Sequence, residues 1–167
     1  MTIKRYIGVI TILAVLTPIY AQDTTLQNVS EQTLIAVLKS DAPLYEKTQA
    51  CQKLAIFGTK ESVPVLAGLL GDKALGDYAR IALEPMKHPG VNEAFRDAAG
   101  KLKGRLLAGV ITSIGARRDA KAVATLQKFV GDKDQAVAKS ALYALGRIAN
   151  DKATDAILQT LSKGPAA

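Results

Sequence analysis

A slide of 31 residues lays one part of this chain onto another. It pairs Leu106, Leu107, Val110, Ile111, Ile114 and Gly115 with Val137, Ala138, Ala141, Leu142, Leu145 and Gly146. The same step pairs Lys121, Ala122, Leu126 and Val130 with Lys152, Ala153, Ile157 and Leu161, so two successive helical segments match at once. A repeat of roughly 30 to 45 residues built from two helices marks an α-solenoid, whose units bury their apolar faces only against neighbouring units. The spacing constrains architecture far more than chemistry.

After residue 28 nearly every segment has helical period, and no stretch alternates as a strand would. Asn28 or Ser30 can cap a first helix with Leu34, Val37 and Leu38 inward. A second is expected over 44–57, with Ala50, Cys51, Leu54 and Phe57 inward and Gly58 as its stop. A third runs over 62–70 and a fourth over 75–84, cut by Pro85. Residues 84–90 (EPMKHPG) form an ordered kink or a loop, and a fifth helix covers 91–102. The sixth ends at Ile114 before a turn that starts at Gly115, the seventh ends at Val130, the eighth covers 135–148 and the ninth 151–161. In the triplets Gly71-Asp72-Lys73 and Gly131-Asp132-Lys133, each aspartate is placed to accept from unpaired N–H groups of the following helix.

The expected fold is all-α: a right-handed α-solenoid of about four antiparallel helix hairpins plus a terminal helix, spanning residues 30–161. The ninth helix keeps Ala156, Ile157 and Leu161 apolar with no tenth helix to cover them. It either caps the stack or meets something outside the chain.

The first residues read as an address. Lys4 and Arg5 precede the apolar run 6–16 (YIGVITILAVL), Pro18 breaks it, and Ala21 is the expected last residue removed. Residues 6–20 are fewer than the roughly 20 that span a bilayer, so residues 1–21 are read as a cleaved signal peptide and the chain as periplasmic or secreted. Residues 22–29 are then a short lead and 162–167 a flexible tail. Loss of Lys4 and Arg5 lowers the formal charge from +7 to about +5, an excess small enough for an ordinary solvated surface.

An enzyme would need a constellation of reactive groups, and none is written here. The one cysteine, Cys51, falls beside Leu54 on an apolar helix face, and the one histidine, His88, sits between prolines with no motif pairing it to a serine or carboxylate. There is no phosphate-binding glycine loop, no GxSxG elbow, no HExxH helix and no haem-attachment motif. No catalytic residues, cofactor or metal site are expected.

With the run Val137-Ala-Lys-Ser-Ala-Leu-Tyr-Ala-Leu-Gly146, the Gly-Asp-Lys triplets, Tyr78-Ala-Arg-Ile-Ala-Leu-Glu-Pro85 and the segment 105–121 (RLLAGVITSIGARRDAK) in view, the chain resembles HEAT-repeat proteins of the armadillo type. The likeness is to the short bacterial units also seen in phycobilisome-lyase-like and secreted repeat proteins. It covers about residues 30–161 and departs from the pattern at Pro85 and at the short turn 59–61. The resemblance implies fold; no enzymatic residue carries over from it.

The function expected on this basis is an exported, non-catalytic scaffold that binds a protein partner on its solenoid surface. Lys47, Lys53, Arg80, Arg105, Lys139 and Arg147 fall on or beside second helices and are the candidate partner-binding residues. An alternative is a polyanion-binding module for nucleic acid or acidic polysaccharide, using Lys101, Lys103, Arg105, Arg117, Arg118 and Lys121. Another is a docking module of a secreted enzyme whose catalytic part lies elsewhere.

Overall fold

The computed structural model describes residues 29–162. The expected export signal with its Ala21 site, the lead before Val29, Asn28 as a cap and residues 163–167 lie outside the described residues. Residues 31–162 belong to one compact unit.

Helices α1 (Glu31–Lys39), α2 (Leu44–Phe57), α3 (Val63–Leu69), α4 (Gly76–Leu83), α5 (Pro89–Ala99) and α6 (Gly104–Ala116) follow one another. A single 3₁₀ turn (Ala120–Ala122) then leads into α7 (Val123–Phe129), α8 (Gln135–Ile148) and α9 (Asp151–Ser162). No strand occurs among the described residues. Consecutive helices pair as hairpins, α1 with α2, α3 with α4, α5 with α6 and α7 with α8. Odd helices also touch odd ones, α1–α3, α3–α5 and α7–α9, while even ones form the run α2–α4–α6–α8. The result is two layers, the α-solenoid that the 31-residue repeat demands, with α9 as an additional odd-layer helix.

Helices of one layer run parallel. Gln127 of α7 is bonded to Gln159 of α9 at 2.9 Å, and α6 lies beside α8 with Gly104 near Asp134 and Gly115 near Ala144. The core lies between the layers. Leu54, Leu66, Leu83, Phe95, Ile111, Ile114, Leu126 and Leu145 are fully buried there, each contributing about 1.5–3 kcal/mol by leaving water.

Several expectations shift for local reasons. Phe57 is exposed rather than inward, because the buried face of α2 (Ala50, Cys51, Leu54) continues one turn on at residue 58, where the side chain of Met86 closes over Gly58. Helix α5 begins at Pro89 rather than Val91: the fixed φ of proline suits the first helical position, and His88 caps it by accepting from Gly90 N at Nδ1 (3.2 Å). It ends at Ala99, three residues short of the expected Leu102. Helix α6 runs through Gly115 to Ala116, Arg117 caps it, and Arg118 beyond takes the left-handed conformation (φ 52°). Gly115 is there to admit a neighbouring backbone, not to stop a helix. Helix α9 includes Ser162, the first residue of the expected tail.

The capping aspartates act as expected at α4 and are displaced at α8. Asp72 accepts from Ala74 N and Leu75 N, both at 2.8 Å, and these two bonds hold its carboxyl below the usual aspartate range. Asp132 instead accepts from Asp134 N, and Asp134 caps α8 through Ala136 N.

Candidate partner-binding face

The even helices are covered from behind by their odd partners and lie side by side in the order α2–α4–α6–α8, so the residues they leave exposed in front define one outer face. On α4 the buried positions are Gly76, Ala79, Ala82 and Leu83 and the exposed ones are Tyr78 and Ile81, with Pro85 exposed just beyond the helix. On α2 the exposed large side chains include Tyr45 and Ile56, and on α8 they include Tyr143. Between them, α6 presents Gly109, Thr112 and Ala116, three small residues at helical spacing. The layer is therefore raised in tyrosine and isoleucine on α4 and α8 and low along α6. A groove of about 450 Å³ lies in this depression, lined by Arg80, Ile81, Glu84, Pro85, Lys87, Ala116 and Arg117.

One wall of the groove is a polar seam between α4 and α6. Asp77, Arg80 and Glu84 share a side of α4 because they stand three and four residues apart. Arg105 is bonded to Asp77, Arg80 Nη1 donates to Ser113 Oγ at 3.0 Å, and Ser113 Oγ donates to Glu84 Oε2 at 2.6 Å. Gly109 leaves the space that Arg80 fills, since a Cβ there would lie 3.0 Å from Arg80 Nε. That Nε has no hydrogen-bond acceptor and faces Asp77 Oδ1 only at 3.8 Å.

Arg117 closes the end of the seam. Its Nη1 donates to the carbonyl oxygens of Glu84 (2.6 Å) and Met86 (2.7 Å), and its Nη2 reaches His88 O at 3.5 Å. The proline-rich segment 84–90 is thereby tied down by one guanidinium. Burial lowers the pKa of that group, while Asp119 and Glu84 act in the opposite sense.

The structure separates the residues singled out from sequence. Of the six partner-binding candidates, Arg80 is held in the seam and Arg105 is exposed but paired with Asp77. Arg147 is exposed and stacks over the Tyr143 ring, 5.9 Å from its centroid. Lys47 and Lys53 are half-buried on α2, and Lys139 is exposed on the side of α8 turned away from α6. Of the basic-turn residues, Lys101, Lys103 and Arg105 stand at the start of α6, whereas Arg117, Arg118 and Lys121 stand beyond its end. A helix of 13 residues keeps those groups about 20 Å apart, and Arg117 is committed to backbone carbonyls. They form no single basic patch.

Tyr45, Tyr78, Ile81 and Tyr143 escaped the sequence reading, which searched for charge. The signal was present: three of the five tyrosines lie in even helices outside the apolar stripe that meets the core. Among the described residues no group of three or more His, Cys, Asp or Glu is placed to hold a metal, and no helix is long and apolar enough to cross a membrane.

Residues 92–167 match the family model of HEAT repeats. No curated protein matches the chain. The matched segment takes in most of α5 and all of α6 to α9, and the earlier hairpins extend the same two layers, so HEAT repeats over residues 92–167 continue an all-helical stack begun by α1 to α4.

Proposed function

We propose that this chain is an exported, non-catalytic scaffold that holds a protein partner on the outer face of its even-helix layer. The observation that carries the reading is the exposure of Tyr45, Tyr78, Ile81 and Tyr143, with Arg147 stacked on Tyr143, on a face that no other part of the described chain covers. Tyrosine and arginine are the side chains that most often anchor protein interfaces, because they bury large area with few rotatable bonds. The small residues along α6 give a partner segment a depression to occupy between those anchors. HEAT repeats commonly serve as interaction scaffolds, which agrees with this use of the surface. Export rests on the Lys4-Arg5 start, the apolar run 6–16 and Ala21.

Affinity capture from envelope and secreted extracts at high salt, using the wild type and a Tyr78→Asp/Ile81→Asp/Tyr143→Asp variant of unchanged melting temperature, tests the binding face. One defined protein retained by the wild type and lost by the variant is expected; equal retention would overturn the assignment. N-terminal sequencing of the exported protein should begin at Gln22, and an intact Met1 in the envelope would overturn the export reading.

A further inference from the structure

The groove beside α4 and α6 carries more positive charge than its own acids balance. Its lining holds three cations, Arg80, Lys87 and Arg117, and one carboxylate, Glu84. That carboxylate is already engaged, accepting from Ser113 Oγ at 2.6 Å and lying 3.5 Å from Arg80 Nη1. Asp77, further along the seam, is divided between Arg80 Nε at 3.8 Å and Arg105. The Arg80 side chain is only 19% exposed and Arg117 is half-buried, so water offsets their charge only in part. An anion that enters the groove therefore gains more from them than it would from fully solvated surface lysines.

The cations also stand on a fixed frame. Arg117 reaches the carbonyl oxygens of Glu84, Met86 and His88, so the residues on both sides of Lys87 are tied to it. His88 is held again by its cap on Gly90 N at 3.2 Å. Lys87 itself is exposed on this anchored backbone, and less freedom is lost when it meets a partner.

Size and the rest of the lining narrow the occupant. A groove of about 450 Å³ is at the scale of a small-ligand pocket, which takes a few side chains of an extended segment. A helix, about 10 Å across, would rest on its rim. Ile81, 54% exposed, forms an apolar wall with Pro85 and Ala116. Glu84 and Asp77 in the same seam oppose a chain that is negative at every unit, such as a nucleic acid or an acidic polysaccharide. A peptide that sets one carboxylate beside one apolar side chain satisfies both the cations and the wall.

We propose that the partner of the outer face presents an extended segment with an aspartate or glutamate next to an apolar residue. The carboxylate is set among Lys87, Arg80 and Arg117, and the apolar side chain lies on Ile81 and Pro85. The proposal rests on the partner-binding reading of this face and adds the chemistry of what is bound.

Selection of random peptides on the immobilised full chain at about 0.15 M salt tests it. Enriched peptides should place Asp or Glu beside an aliphatic or aromatic residue. A selected peptide with its acid replaced by the amide should bind at least about tenfold more weakly. Lys87→Glu, at an exposed position and with an unchanged melting temperature, should weaken the acidic peptide about fivefold or more and recover affinity when the peptide's acid is exchanged for lysine. No enriched peptide, enriched peptides without acids, or no recovery on charge exchange would overturn the proposal. A single-stranded DNA oligonucleotide that binds in a Lys87-dependent way and more tightly than any selected peptide would overturn it in favour of a polyanion. The two readings fail separately. A captured partner that the Tyr78→Asp/Ile81→Asp/Tyr143→Asp variant loses and Lys87→Glu retains in full would keep the face and remove the acidic segment.

Discussion

Arg117, just past the end of α6, donates to the carbonyl oxygen of Met86 at 2.7 Å, and the same nitrogen reaches Glu84 O at 2.6 Å. Two prolines and a glycine leave the segment 84–90 with few hydrogen bonds of its own, so this side chain supplies its order. Arg117→Ala should destabilise the domain by about 2–3 kcal/mol, the scale of charge-assisted hydrogen bonds lost from a buried site. Arg117→Lys should recover less than half, since one ammonium cannot span the carbonyls that a planar guanidinium bridges. Denaturant unfolding gives the energies, and hydrogen exchange should rise first over residues 86–90. A wild-type melting curve for Arg117→Ala would refute this account.

Two helical glycines should respond to alanine with opposite signs. A Cβ at Gly115 would lie 2.5 Å from Ala144 Cα and 2.8 Å from its Cβ, whereas one at Gly68 meets nothing within 4 Å. Gly68→Ala should stabilise by about 0.5–1 kcal/mol, the helix-propensity gain. Gly115→Ala should lose about 1–3 kcal/mol, because pushing two packed helices apart outweighs that gain. Equal shifts in melting temperature for the two variants would contradict the close approach.

Acid should loosen the link between α1 and the short turn before α3. Glu31 accepts from Thr59 N at 2.7 Å, from Thr59 Oγ1 at 2.9 Å and from Ser62 Oγ. Burial pushes its carboxyl up, but the hydrogen bonds from Ser62 and Thr59 prevail and hold it below the ordinary 4.5. A carboxyl depressed in the folded state contributes stability that is complete above the unfolded value and lost as pH falls through the folded one. The wild type should therefore lose melting temperature below about pH 4.5, and Glu31→Gln should show a shallower decline over the same range. Parallel curves would remove Glu31 from the explanation.

Cys51 should behave as a core side chain. It is fully buried on α2, and burial pushes its thiol up to about 11, far from the thiolate form at neutral pH. An aromatic disulfide reagent at pH 8 should react at the rate of unfolding in the native protein and rapidly in denaturant. Prompt native labelling would mean that the α1–α2 hairpin opens readily.

The two-layer stack was legible because burial in a solenoid is periodic, and the step from Leu106 to Val137 records that period directly. The bounds of α2 and α8 were readable for the same reason. What could not be read was the difference between a glycine that ends a helix and one that admits a neighbour: Gly115 has the same neighbours in sequence either way, and only the backbone of Ala144 decides. The outer face was harder still. Tyr78 and Ile81 stand off the buried face of α4, but only the positions of α2 and α6 show that nothing lies in front of them. Arg80 and Arg117 look like free surface charge until their partners 3 to 33 residues away are in place.

The seams on the two sides of α6 are of different kinds. Toward α8 the contact is Ile111, Gly115 and Ala144; toward α4 it includes Asp77, Arg80, Glu84, Arg105 and Ser113. Dissolved ions weaken attraction between charged groups and leave close contact between apolar helices untouched. Added salt therefore weakens the exposed Arg105–Asp77 pair of one joint and leaves the close helix contact of the next as it is.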